Sequence, residues 1–503
     1  LLVYPFPGAP NAGDFYAIDL SIIGGLSLFM ILLHDKSSLF FRSNKLFVCS
    51  VLLFFFIAFS QFIFFDNYTF KELCFSISWV AIPLAVYLYA DLFRKYLLPY
   101  FAFLWIFNAV YLFPALYYGR ETIGIPANRN WQGGFLLGCS PLFLFCVYKI
   151  LKRYNLSLKY IYGILLTPAF FSLITLYRCY SRGANLAFSI TAIIILFFII
   201  RSKRPKNYKR IIYICIAVTS LLAILSILLY GDKLAGHITK DVRLPLWYGA
   251  CKTFIKNITI GVGSPSYESQ YVYNIPIDRF IRSWYYTERS DHPHNHLLYM
   301  AGSFGLAGLA AILYLWFYPL IYCIRYFKNL PTLSKIIFIS FFALSIHAMF
   351  DLIFFKWPTV YMAFILQGLL WDQVFIKQDF PKKAENHTQQ PVFYRMLCKG
   401  FVYTVALSVL YQICSMTYKN IKGSLYGRSG LILYAENKPY SLYAFDKSLN
   451  TNQNTRSMYT AGIISLLDFG DYRLGLKYFQ LLEKHPAKII AHSNSHTANC
   501  LIK

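Results

Sequence analysis

Apolar runs recur along the whole chain, at about 17–34, 47–65, 74–90, 98–117, 133–148, 159–178, 185–200, 211–230, 297–324, 336–355, 359–376 and 400–417. Each is close to the length of about 17–25 residues that crosses a bilayer core as a helix. Inside hydrocarbon a backbone amide must be paired within its own segment, so runs of this length predict helices and not the short alternating strands of a barrel. The expected fold is all-α, a polytopic transmembrane bundle of about twelve helices. Every second connection is basic, one connection on the other side is a long polar loop at 231–296, and the pattern ends after residue 417.

Composition adds the class of partner. With 57% hydrophobic and 14% charged residues the chain is an integral membrane protein, and membrane lipids are its surroundings. The net charge of +26 would suggest nucleic acid for a soluble protein. Here the cations sit in short connections: Lys36/Arg42/Lys45, Arg94/Lys95, Lys149/Lys152/Arg153/Lys159, Arg201 to Arg210, Arg325/Lys328/Lys335 and Lys377/Lys382/Lys383/Arg395/Lys399. When spans alternate these fall on one side, which the positive-inside rule makes the cytoplasm, and no nucleic-acid partner is implied. The 231–296 loop and everything after 418 then lie on the extracytoplasmic face. The opening Leu1 to Gly8 reads as the tail of a helix arriving at that face, with a preceding span cut away. The eleven cysteines are scattered, mostly in apolar runs, and imply packing with no disulfide framework.

The chain thus divides into a transmembrane domain, 1–417, and a helical tail, 418–503. In the tail, Ser457 to Leu467, a turn at Gly470-Asp471-Tyr472 and Leu474 to Glu483, closed by Pro486, predict a helix hairpin. Its small residues and aromatic positions are similar to a tetratricopeptide unit; a plain amphipathic hairpin fits equally.

The densest polar chemistry lies where the long loop re-enters a span, at His292-Pro293-His294-Asn295-His296, with Gly305 and Gly308 inside the helix that follows. In an extended segment the three imidazoles share one face and suit a metal, but Pro293 and Asn295 mark a turn and no ligand set is completed beyond Asp291. An imidazole at a helix start on the water boundary suits a general base, since imidazole titrates near neutral pH.

His294-Asn295, nine residues, Gly305, two residues and Gly308 resemble the signature of the O-antigen ligases. Those enzymes move a polysaccharide from undecaprenyl pyrophosphate onto lipid A core sugar in lipopolysaccharide biosynthesis. Ser181-Arg182-Gly183-Ala184, Val242-Arg243-Leu244-Pro245-Leu246-Trp247 and Gly261-Val262-Gly263 look like the family's two arginine regions and Gly-x-Gly turn, in the family's order. O-antigen polymerases and protein O-oligosaccharyltransferases share the His-Asn helix start, and the tail is in keeping with some of them.

The resemblance implies a GT-C-like bundle in a bacterial inner membrane with its active site facing the periplasm, so that 231–296 becomes a periplasmic loop. It implies an inverting, metal-independent glycosyltransferase without cofactor, whose partners are an undecaprenyl-pyrophosphate glycan donor and an acceptor on lipid A core, a glycan or a protein. His294 suits the catalytic base. Arg182 and Arg243 suit the diphosphate, because a guanidinium stays ionised and meets phosphate oxygens in a two-pronged geometry. Arg279, Arg282 and Arg289 are understudies. The loop aromatics Trp247, Tyr248, Tyr267, Tyr271, Tyr273, Trp284, Tyr285 and Tyr286 mostly suit an interfacial belt. His347 and Asp351, four apart, suit a polar clamp between helices. The rival reading is a flippase for lipid-linked glycan, against which stand the lack of an internal repeat and of Gly/Pro-broken helix pairs in the sequence.

Overall fold

The structure, a computed structural model, describes residues 22–31, 44–65, 68, 70–118, 128–203, 243–264, 266–272, 274–275, 292–351, 353–355 and 359–375. In the tail it describes 443–444, 446–447, 465 and 472–484. The expected spans at 211–230 and 400–417 lie outside the described residues. So do Arg279, Arg282, Arg289, Asp291, Tyr273, Trp284, Tyr285, Tyr286 and most of the first tail helix.

After a short apolar helix at Ile22–Ile31 come α1 (Lys45–Phe64), α2 (Phe70–Leu88), α3 (Ala90–Tyr117), α4 (Arg129–Arg153), α5 (Leu158–Arg178) and α6 (Arg182–Lys203). Then follow α7 (Arg243–Lys256), α8 (Tyr267–Val272), α9 (His296–Arg325), α10 (Thr332–His347), α11 (Thr359–Phe375) and, in the tail, α12 (Tyr472–Lys484). All described regular structure is helical, as the apolar runs predict. Helices α1, α3, α4, α5 and α9 are long and apolar enough to cross a membrane. Their lipid-facing sides stay apolar, with Phe56, Ile63, Phe103 and Leu166 exposed, and their other sides build a core that includes Phe47, Phe101, Phe304 and Trp371.

Helix ends follow local chemistry. Asn128 accepts hydrogen bonds from Asn130 N–H at 2.8 Å and Trp131 N–H at 3.5 Å, which gives α4 its first-turn cap, and Lys152 and Arg153 sit at its C-terminal negative pole. Between α5 and α6 the chain reverses through Tyr180 at φ 52°, after which Ser181 Oγ accepts Ala184 N–H at 3.3 Å and starts α6. The main packing pairs are α2 with α11, α1 with α9 and α4 with α10, while α7 lies on α9.

Three expectations need correction. The run at 336–355 is not one helix: α10 ends at His347 and a turn leads to a short 3-10 helix at Ile353–Phe355. The basic pair Arg94/Lys95 is not a loop but the first turns of α3, because Arg94 forms an ion pair with Asp372 of α11 and can stay helical at the bundle edge. Nor is 231–296 loop throughout, since α7 and α8 lie within it. The helix at Leu474 to Glu483 is observed, starting two residues earlier and ending one later at Tyr472–Lys484, with Tyr478 O–H donating to Asp446 at 3.3 Å.

The feature that positions the site is a break inside α9. Gly305 has φ 66° and ψ −168°, a conformation confined in practice to glycine, so this span is interrupted within its length. The carbonyls that the break releases are taken up by the turn after α7: Val262 N–H donates to Gly302 O at 3.0 Å and Gly263 N–H to Ser303 O at 2.9 Å. In return Leu306 N–H donates to Ile258 O at 2.7 Å. Gln61 of α1 completes the set, its Nε2 donating to Ile260 O at 2.6 Å and Ser303 O at 2.7 Å. Burial holds the Tyr68 phenol well above its ordinary pKa, so it remains an O–H and donates to Gln61 Oε1 at 3.1 Å. The Gly302 and Ser303 carbonyls and the Leu306 N–H at the break thus each have a partner. A Cβ on Gly305 would come within 3 Å of the Thr259 carbonyl and of Gly261 N, and one on Gly261 within 3 Å of the Ser303 carbonyl. Two separated glycine motifs are thus the halves of one lock that fixes α7 against α9.

Candidate functional site

One end of the bundle gathers the C-terminus of α10 and the N-termini of α4, α6, α9 and α11. The His-Pro-His-Asn-His segment enters α9 here. Asn295 caps the helix, its Oδ1 accepting Leu298 N–H at 3.0 Å, while its Nδ2 donates to Met349 O at 3.0 Å. His296 N–H donates to Ala348 O at 2.9 Å. These two bonds clamp the start of α9 to the turn that follows α10, and they supply partners for carbonyls that a continuous helix would have used itself.

His294 lies at φ 50°, a left-handed conformation that histidine tolerates better than most residues but which still costs about 1 kcal/mol or more. The result is to turn its side chain away from its neighbours and toward Asp351. Its Nδ1 lies 3.4 Å from Asp351 Oδ1, and Arg243 of α7 lies 3.6 Å from Asp351 Oδ2. The Asp351 side chain is sealed, with 2% exposed, whereas the His294 side chain keeps 23% and the Arg243 side chain 19%. Two groups thus retain an open side and share one carboxylate behind them. The distances are long for charge-assisted hydrogen bonds, as is common before a substrate draws such groups together.

Of the three residues singled out in the sequence, His294 and Arg243 therefore meet at one carboxylate. Arg182 is the exposed first residue of α6, and its neighbour Gly183 packs against the His347 ring, where an added Cβ would stand 3.0 Å from Cδ2. His347 is fully buried within electrostatic reach of Asp351 and Arg243, so Arg182 joins the same end of the bundle through Gly183 and His347.

Other sequence readings change. His347 and Asp351 do not share one helix, because α10 stops at His347; the turn carries Asp351 to His294 and Arg243, so the polar tie between elements runs through Asp351. Nor do the three imidazoles of 292–296 share a face: His296 lies in the core among Trp79, Trp316 and Phe354, with ring centroids 4.8, 4.9 and 5.1 Å away. Tyr267 and Tyr271 are fully buried and stack at 5.2 Å, so they belong to the packing beneath the site and not to an interfacial belt. Tyr248 does remain exposed. Asp351 is the residue whose place at the site the sequence did not reveal; its only signal there was an ionisable group in an apolar run.

Fold and site together define a polytopic helical membrane protein with a polar cluster at one end of its bundle. A family model described as O-antigen ligase matches residues 167–313, in agreement with the resemblance carried by the His-Asn, arginine and glycine motifs. That match carries a membrane glycosyltransferase activity of the O-antigen ligase and polymerase type. It includes Arg182, Arg243, the Gly261–Gly263 turn, His294, Gly305 and Gly308, and stops short of Asp351. A comparison with curated proteins gives no match.

Proposed function

We propose that the protein transfers a glycan from undecaprenyl pyrophosphate to an acceptor hydroxyl at the periplasmic face of a bacterial inner membrane, with lipid A core as the acceptor. The observation that carries this reading is the convergence of His294 and Arg243 on the buried Asp351 carboxylate. A sugar on diphosphate has a good leaving group, so the protein's work is to position the acceptor, take its proton and stabilise charge on the departing diphosphate. His294 takes the proton. Arg243 and Arg182 receive the diphosphate in place of a divalent cation. Asp351 holds the His294 ring and steadies the imidazolium that forms, while keeping Arg243 at the same centre. A single displacement inverts the anomeric configuration. The tail, 418–503, acts as an accessory module of the 1–417 transferase domain.

Asp351→Asn is expected to lower the transfer rate at least about tenfold, some 1.4 kcal/mol, because an amide can no longer balance both cations. The measurement is initial rate with purified protein. An unchanged rate would remove Asp351 from the site. The acceptor is tested by offering the lipid-linked donor with lipid A core, with a second lipid-linked glycan and with a pilin-like protein. Product on lipid A core is expected. Product on the second carrier or on the protein would make the enzyme a polymerase or a protein O-oligosaccharyltransferase.

A further inference from the structure

The structure assigns to His292 a positioning task distinct from proton transfer: its ring nitrogen holds the backbone of His294 in the left-handed conformation that aims the His294 side chain at Asp351. This rests on the proposed role of His294 as the base. The His294 N–H donates to His292 Nδ1 at 3.0 Å. A side-chain acceptor meeting the backbone N–H two residues on is the arrangement by which Asn and Asp close tight turns, and here an imidazole supplies the acceptor.

The surroundings fix that ring. It is 2% exposed and lies nearly parallel to the Tyr299 ring, 13° between planes and 5.2 Å between centroids. The Tyr271 O–H donates to the His292 carbonyl at 3.4 Å. Pro293 between the two histidines restricts its own φ and has no N–H to compete for the acceptor. The far side of the turn is clamped independently by Asn295 and His296. His294 is therefore held from both sides, and the His292 bond acts on its own N–H. Without that bond the left-handed residue has a more favourable backbone conformation available, and adopting it would swing the imidazole away from Asp351. Displacement of a reacting group by about 1 Å can lower a rate about a hundredfold.

Two substitutions separate the acceptor from the ring. His292→Asn keeps an acceptor of the right reach and loses the stack on Tyr299, whereas His292→Phe keeps the stack and loses the acceptor. The full chain in lipid nanodiscs is assayed with undecaprenyl-pyrophosphate oligosaccharide and lipid A core, and exchange of the His294 backbone amide is followed in parallel. His292→Asn is expected to stay close to the wild-type rate with a protected His294 amide. His292→Phe is expected to lose about ten- to a hundredfold in kcat with KM unchanged, and to expose that amide to exchange. The reverse order, or equal losses in both, overturns the inference. If His292→Phe is too unstable to purify, an exposed amide in His292→Asn overturns the inference and a protected one supports it. A wild-type protein that transfers nothing would overturn the proposed function instead, and the pattern of amide exchange across the variants would still decide the turn.

Discussion

His294→Ala is expected to reduce glycan transfer by about 10²- to 10⁴-fold, or about 3 to 5 kcal/mol of transition-state stabilisation, the range supplied by a positioned general base. The assay is initial rate with purified protein at saturating donor; in cells the lipid-linked donor should accumulate on the outer leaflet. Because residue 294 sits at φ 50°, alanine also carries a backbone penalty that could blur the result. His294→Asn removes that ambiguity, since asparagine tolerates the left-handed region and has no basic nitrogen. Both variants are expected to lose activity alike, and His294→Asn to keep the wild-type melting temperature. Activity retained in His294→Asn would show that another group takes the proton.

Gly305→Ala is expected to prevent assembly of the bundle and not to slow catalysis selectively. The φ of 66° with ψ −168° alone costs a non-glycine residue of order 1–3 kcal/mol. The new Cβ would in addition overlap the Thr259 carbonyl, a backbone atom that cannot move without breaking the Leu306 N–H to Ile258 O bond. Losing this lock strands several backbone groups of α9 and the amide of Gln61 in a buried place, at about 1–3 kcal/mol each. Gel filtration in detergent should show aggregated or absent protein. Leu306→Ala, at the exposed neighbouring position, should leave yield and melting temperature unchanged. A well-folded Gly305→Ala protein would contradict the interlocked arrangement of the two glycine motifs.

These two residues also show what the sequence carried. The spacing from His294-Asn295 to Gly305 and Gly308 is legible because it records local needs: a cap, a left-handed turn and a break in a helix. The apolar runs are legible as helices because hydrocarbon permits a continuous segment little else. What the sequence did not disclose depends on partners distant along the chain. Nothing in the apolar run 336–355 marks the end of α10 at His347, because the carbonyls of Ala348 and Met349 are claimed by His296 and Asn295, some fifty residues earlier. Asp351 becomes a site residue only through that turn. Similarly, Arg94 and Lys95 read as a cytoplasmic connection until the ion pair with Asp372, nearly three hundred residues on, accounts for their place in α3. The break at Gly305 is not legible as a break in the sequence because a single glycine in an apolar helix carries no sign of the turn that docks into it.

The most direct test of the shared centre is transfer by the purified chain in nanodiscs, with an undecaprenyl-pyrophosphate oligosaccharide of known anomeric configuration, lipid A core and a chelator present. The account predicts a product of inverted configuration, undecaprenyl pyrophosphate released in equal amount, and both products formed at least about a hundredfold more slowly by His294→Asn. Retained configuration, or full transfer by His294→Asn, would contradict it.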